Sequence, residues 1–519
     1  MFQQVSIYAI MIDMFGVISE SSFGQVNALT ITAALGVILT SMAIWSVMRP
    51  SGFPPGPRGL PLVGSIFDMN DSPEVVFGNW AKKYGDIFGL KIGERWMVVL
   101  NRKDVIKEAV VKQSVEFAGR PDFYSFEVFS DGFKDIAMSS YSDTWKLHRK
   151  LGHTALRHFA TGKPLQKLIT NVYPKLEKEL AENEGKPIDP RLLLTLLMYN
   201  VLTQMCFGMS YELHDPKVKA WMEINDEGNE SVGLGLAADF FRWARYIPTS
   251  GPRLIKEGIE AFKDMINAEL AEHREKKYDP ENINDFYSMM LKTQEDAKRE
   301  GENVDKLSDA HILMTIIDIF SAGTQTTIDT LYWAFACLAE TPEVQKKVQS
   351  EIDSVVGRDR VPTIEDRGTL PYTEATLYEV MRYSTIVPMA LPHSTTRDTT
   401  LRGYSIPKGT TVMLNIHSMH FDPNEWSDPE SFKPEHFLDD GRTVRQHPPS
   451  FMPFGAGRRS CLGEAVAKAD LFLIFSWFLQ NYTFSKVPGK ESENLCKTIP
   501  KTVAGRLLTP YQIVISKRK

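Results

Sequence analysis

The run Phe451–Ala467, FMPFGAGRRSCLGEAVA, constrains this chain more than any other stretch. It sets one cysteine, Cys461, behind a glycine-rich turn and ahead of an apolar segment. Gly455 and Gly457 let the backbone turn tightly and pass close to something large. Phe454 can pack against the sulfur and keep water from it. Arg459, two residues before the cysteine, can ion-pair with a carboxylate of a ligand, and Gly463 permits close approach just after it. The continuation GEAVAKADLFLIFSWFL has the pattern of a helix, which places Cys461 at or near a helix N-terminus. The dipole and free amides there are expected to lower the thiol pKa and favour thiolate. A lone cysteine is more often a small buried hydrophobe. Here the spacing F-x-x-G-x-R-x-C-x-G argues for a ligand, and no second cysteine or histidine stands nearby at zinc-type spacing.

This pattern resembles the haem-binding loop of the cytochrome P450 family. The resemblance implies haem b, bound with the Cys461 thiolate as axial ligand of the iron and with Phe454, Gly457, Arg459 and Gly463 around it. A thiolate in that position pushes electron density to the iron and favours O–O cleavage.

Composition bounds the rest. The chain has 519 residues, 43% of them hydrophobic and 24% charged, as in an ordinary globular protein. A net charge of −6 implies no nucleic-acid partner. Cys206, Cys337, Cys461 and Cys496 are too scattered to suggest a disulfide framework, which suits a reducing compartment.

From Val26 to Val47 no charge occurs, and about 20 apolar residues suffice to cross a bilayer. Residues 26–48 are therefore expected to form a single transmembrane anchor, with 1–25 lumenal and the bulk of the chain cytosolic, since Asp13 and Glu20 precede the span and Arg49 follows it. The proline-rich run 49–62, containing FPPGPRGLP, is an extended, semi-rigid segment. It is similar to the hinge of microsomal P450s and leaves 63–519 as the monooxygenase domain.

Further motifs follow in order. DIFGLKIGERWMVVL (86–100) predicts a hairpin turning at Gly93-Glu94. Trp145 and Arg149 lie four apart on a predicted helix, matching the family's W-x-x-x-R, whose side chains meet haem propionates. Lys146 and Lys150 add charge suited to an acidic redox partner. A helix of roughly 30 residues, Asp309 to Glu340 with Ser308 as N-cap, would cross the whole domain. Its middle, Ala322-Gly323-Thr324-Gln325-Thr326-Thr327, breaks helix propensity; small residues there leave room for a ligand, and a threonine hydroxyl can hold water or dioxygen. This resembles the oxygen-activation motif of the family, with Thr326 the key hydroxyl. Gln325 stands where Asp or Glu is usual.

Glu379 and Arg382 can pair at i, i+3. In the family that pair is buried and takes an arginine as third partner; here His436 occupies the place. IVPMALPH (386–393) is extended and proline-broken, and the family places it along the haem edge. Ile386 and Val387 would face substrate and His393 would reach a propionate. Residues 399–415 are expected to form two short strands around Pro407-Lys408-Gly409, and 509–517 a last strand.

The fold class implied is mainly α-helical with small β-sheets, preceded by a transmembrane helix. The function implied is insertion of one oxygen atom of O2 into a lipophilic substrate at the endoplasmic reticulum membrane. Electrons would come from NADPH through cytochrome P450 reductase, with cytochrome b5 as a further partner. FAGRPDFYSF, DAHILMTIIDIFSAG, IVPMALPHSTT and PFGAGRRSCLGEAVAKADLFLI resemble the steroid 17α-hydroxylase/17,20-lyase branch and its aryl-hydrocarbon-oxidising relatives. A steroid-like substrate is expected, a xenobiotic or aryl hydrocarbon being the alternative. A haem-thiolate isomerase or dehydratase working without reductase is disfavoured by Thr326.

Overall fold

The structure is a computed structural model. It describes residues 28–69, 71–212, 215–220, 237–247, 250–276, 278–439, 443–444, 447–499 and 505–519. The expected lumenal segment 1–25 and the start of the expected anchor lie outside the described residues.

Helix α1 (Ala28–Val47) is uncharged throughout and exposes Ile31, Leu35, Val37, Ile38 and Ile44. Among the described residues no helix is long and apolar enough to cross a membrane. The proline-rich run after it does not hang free. Arg49 donates to the carbonyls of Pro54, Gly56 and Pro57 at 2.8, 3.0 and 3.1 Å. The Gly89 amide donates to Pro55 at 2.7 Å, and a Cβ on Gly56 would lie 2.0 Å from the Gly89 carbonyl. The segment is thus pinned to the first sheet strand.

That sheet has four strands in the order β1 (Ile87–Ile92), β2 (Arg95–Leu100), β4 (Thr411–Leu414), β3 (His393–Ser394). β1 and β2 form the expected hairpin, closed by Gly93 at φ +56°. β2 runs parallel to β4, with Met97 opposite Thr411, and β4 pairs antiparallel with β3, His393 opposite Val412. Residues 399–415 hold three short strands rather than two. Arg402 and Gly403, both at positive φ, close a hairpin between Thr399–Leu401 and Tyr404–Ile406, and only then does the chain turn into β4.

Among the helices that feed the main core, five position the site: α2 (Asp143–Phe159), α3 (Arg191–Phe207), α4 (Asp309–Glu340), α5 (Pro371–Ser384) and α6 (Glu464–Asn481). α4 spans 32 residues, about 48 Å at 1.5 Å per residue. The Ser308 hydroxyl caps it, accepting from the His311 amide at 3.4 Å. Side chains of α4 are buried from Ile312 to Phe320 and again from Thr327 to Ala339. Between them only Thr324 is fully buried, so the one stretch of poor helix formers is also where this helix is least covered.

At the crossing of α5 with the loops after β4, Arg382 and Glu379 are both fully buried and paired at 2.8 and 2.7 Å. Arg382 also donates to the carbonyls of His420, Pro429 and Ser431. Glu379 accepts from the Lys433 amide at 2.8 Å and lies 3.1 Å from His436 Nδ1. A two-charge pair with its remaining donors and acceptors satisfied ties α5 to the segment that leads into the cysteine loop.

Candidate active site

The loop Met452–Gly463 reaches α6 through a short 3₁₀ turn at Gly457–Arg459. Gly457 has φ +74°, and a Cβ there would lie 1.8 Å from the Val110 carbonyl oxygen, so only glycine fits. Around the positions of a Cβ on Gly455 and Gly463 no atom lies within 4 Å. The loop is therefore packed on one side and open on the other. The Cys461 amide donates to the Phe454 carbonyl at 2.9 Å, which fixes where the cysteine leaves the loop.

α6 begins at Glu464, three residues after the cysteine. The expected lowering of the thiol pKa by a helix terminus does not prevail. Desolvation in the dense loop pushes the Cys461 thiol up, although its own side chain is exposed. The Gly463 amide and the Arg149 charge pull it down, and Glu464 adds to the rise. A bound metal would deprotonate a coordinating thiol here outright.

Beside the loop three guanidinium groups converge. Arg459 donates to the carbonyls of Ala118, Ile136 and Ser139 at 2.8, 3.2 and 2.7 Å and stacks on Trp145 at 4.1 Å. Burial holds it down to about 8, with Arg120 and Arg149 repelling it. Arg120 donates to Ala137, Leu391 and Pro392 and is lowered by burial to about 10. Arg149 donates to the Ser460 carbonyl at 2.6 Å. Asp135 opposes this charge for Arg120 and Arg459, yet burial pushes Asp135 itself up to about 6. His393, on β3, joins the cluster; burial, then the Arg120 and Arg459 charges, takes it down to about 3. Buried cations in excess over carboxylates make a site for an anionic ligand, and the carboxylates of haem fit that requirement.

Some assignments change. The Trp145 indole N–H is taken by the Ile136 carbonyl at 2.9 Å, so it braces the loop 135–139 rather than offering itself to a ligand. His393 Nδ1 lies 2.8 Å from the Phe117 carbonyl. Arg120 carried no motif in the sequence; only its run FAGRP, wedged between an aromatic and a proline, marks the spot.

On α4 Thr326 lines a cavity with Ile386, Val387 and Phe454, joining the long helix, the proline-broken segment and the cysteine loop. Its hydroxyl donates to the Ala322 carbonyl at 2.7 Å. Ala322 itself is exposed. A Cβ on Gly323 would lie 3.0 Å from Leu202 Cδ1, so its small size also serves the packing of α4 on α3. Gln325 also looks elsewhere, donating from Nε2 to both carboxylate oxygens of Asp329 at 3.0 Å, while Arg191 holds Asp329 at 3.3 Å.

The comparisons agree with this geometry. The family description Cytochrome P450 matches residues 54–513. Steroid 17-alpha-hydroxylase/17,20 lyase of Ictalurus punctatus is 36% identical over 84% of this chain and 86% of its own. Cytochrome P450 1A5 of Gallus gallus is 33% identical over 92% and 93%, and cytochrome P450 2F3 of Capra hircus 35% identical over 94% and 99%. The family uses haem b with a cysteine thiolate as axial ligand. A mainly helical fold with small sheets, an open cysteine loop and a buried cationic cluster beside it thus meet in one chain that belongs to the cytochrome P450 family and is a monooxygenase.

Proposed function

We propose that this protein is a membrane-anchored monooxygenase that hydroxylates a planar, lipophilic substrate of steroid-like type. The observation that carries the reading is one cavity lined together by Thr326, Ile386, Val387 and Phe454, beside a loop that presents Cys461. When bound, haem b supplies the iron centre at which dioxygen is reduced with electrons from a redox partner.

The chain's own residues do the remaining work. Cys461 Sγ ligates the metal, and Phe454 shields that sulfur from water. Arg120, Arg149 and Arg459, with His393, hold the haem carboxylates by charge and hydrogen bonding. Thr326 Oγ1 exchanges its bond to the Ala322 carbonyl for one to water and so passes protons into the cavity. Ile386 and Val387 form an apolar wall that excludes bulk water and positions the substrate. Gln325 orients polar groups but does not ionise, so protons reach Thr326 through water.

Residues 26–48, of which helix α1 with its exposed apolar side chains is the described part, serve by their uncharged sequence as the single anchor in the endoplasmic reticulum membrane, leaving 63–519 cytosolic. Lys150 is exposed on α2, while Lys146 pairs with Asp143 at 2.9 Å; this face receives an NADPH-dependent reductase, and cytochrome b5 as a second donor. The steroid reading draws on relatives named for steroid hydroxylation, and relatives named P450 1A5 and 2F3 are about as similar.

The test is the carbon-monoxide difference spectrum of the reduced, detergent-solubilised protein, followed by titration with steroids and polycyclic aromatics. A strongly red-shifted Soret band that Cys461→Ser abolishes, and a spin-state shift with steroids, are the expected results. An unchanged spectrum in Cys461→Ser refutes the ligand assignment. A shift with polycyclic aromatics alone refutes the steroid reading.

A further inference from the structure

Four cysteines scattered along a chain suggest no pairing, but the fold brings two of them together. Cys337, near the C-terminal end of α4, and Cys496 are 159 residues apart in sequence, and their sulfurs are 3.6 Å apart. Cys337 is buried, with its thiol pushed well up by burial and by the neighbouring Cys496; Cys496 is half-buried and open to solvent on one side. The elements that carry them are already held in register. Glu340, on the last turn of α4, accepts from the Leu495 amide at 2.7 Å and pairs with Lys486 at 2.7 Å.

From that geometry we propose that Cys337 and Cys496 form a redox-closable pair, a disulfide site that responds to peroxide. The sulfurs need only close from 3.6 Å to a bond of about 2.05 Å. The chemistry balances with hydrogen peroxide as oxidant. The half-buried Cys496 thiol, the more accessible of the two, takes one oxygen atom to become a sulfenic acid, releasing water. The Cys337 sulfur then attacks Cys496 Sγ, the S–O bond breaks, and the Cys337 proton leaves with the hydroxyl as a second water. Two thiols lose two electrons and two protons to one peroxide. The unequal exposure of the two sulfurs sets the order: the reachable thiol is oxidised, the buried one resolves it.

The bond would act on the wall of the cavity. Cys496 begins an arm whose two sides meet at Thr498 and Leu508, with the Ile499 amide on the Leu507 carbonyl. The returning side carries Arg506, whose carbonyl accepts from Trp333 Nε1 at 3.0 Å and whose amide donates to the Ile386 carbonyl at 3.1 Å. Trp333 and Cys337 are four apart on α4 and face the same arm. A disulfide therefore locks the arm on α4 and, through Arg506, stiffens the segment bearing Ile386.

The experiment treats the purified holoenzyme with one equivalent of hydrogen peroxide. Denaturing alkylation and peptide mass mapping then follow, with hydrogen exchange measured on the same samples. The expected result is a fall from four alkylatable thiols to two, a Cys337–Cys496 linked peptide 2 Da lighter than the sum of its thiols, and at least threefold slower exchange over 495–499 and 505–509. In Cys337→Ser, dimedone should label Cys496 as a stable sulfenic acid. In Cys496→Ser, three thiols should survive peroxide. Dimedone labelling of Cys496 in wild-type protein without a link, dimers joined through Cys496, or a link that leaves exchange unchanged would each overturn the proposal.

Discussion

Replacing Gln325 by glutamate is the most informative single change, because family likeness and the structure give opposite expectations. From likeness alone, an acid at 325 restores the usual residue and should leave turnover equal or better. In the structure Gln325 Nε2 donates to both oxygens of the buried Asp329 at 3.0 Å. Gln325→Glu turns that donor into an oxygen and sets two carboxylates against each other. At 3.0 Å two full charges repel by roughly 5 kcal/mol at an effective dielectric constant of about 20. Protonating one carboxyl caps this. Each pH unit above an ordinary glutamate value of about 4.3 costs about 1.4 kcal/mol, so near neutrality the penalty is bounded at roughly 4 kcal/mol. Arg191, 3.3 Å from Asp329, offsets part of it. The shared pair has a raised folded pKa. Its stability is therefore kept below the unfolded value and lost as pH rises through that window. We expect Gln325→Glu to be about 2–4 kcal/mol less stable than wild type at pH 7.5 and within about 1 kcal/mol at pH 5. The double variant Gln325→Glu/Asp329→Asn, which restores an amide–carboxylate contact, should recover most of the loss. Urea unfolding of the three proteins at both pH values reads this out. Equal stability of Gln325→Glu and wild type at pH 7.5 would refute the reasoning and return residue 325 to the role of a replaceable acid.

Three further outcomes are expected. Glu379→Gln leaves Arg382 as an uncompensated buried charge and should cost about 3–5 kcal/mol, whereas Glu379→Leu/Arg382→Met should cost less than the single change; a double variant worse than Glu379→Gln would contradict the desolvation argument. Gly457→Ala places a methyl 1.8 Å from the Val110 carbonyl at φ +74°, beyond the ~1–2 kcal/mol of a left-handed residue alone, and should largely abolish haem uptake read by carbon-monoxide binding; wild-type uptake would show that the loop gives way. Asp470 on α6 is buried, its Oδ1 has no hydrogen-bond partner among the described residues, and desolvation raises its pKa to about 8. An acid raised in the folded state loses stability as pH climbs from its unfolded value of about 4 to that point, so Asp470→Asn should gain on wild type between pH 5 and 8. Urea midpoints that run parallel across that range would exclude it.

Much of the site was legible because its chemistry is local. Phe454, Gly457, Arg459, Cys461 and Gly463 lie within ten residues, so a pattern of offsets could expose them. The α4 boundaries followed from Ser308 and a long apolar run, since capping and periodicity act over one or two turns. The hairpin 86–100 was readable for the same reason: its turn needs a residue at positive φ, and Gly93 supplies it.

What the fold alone decided depends on partners far away in the chain. The size of Gly323 answers to Leu202, more than a hundred residues earlier. Arg120 joins the anion-binding cluster only because α2, β3 and the cysteine loop converge on it. The Cys461 pKa rises because packing removes water faster than the amide of Gly463 and the charge of Arg149 can compensate. Gln325 turns to Asp329, and Cys337 meets Cys496 across 159 residues. Composition and spacing determined which groups this chain carries and which short segments could hold them. Burial and long-range contact, which sum over the whole tertiary structure, determined what those groups face and therefore what each of them does.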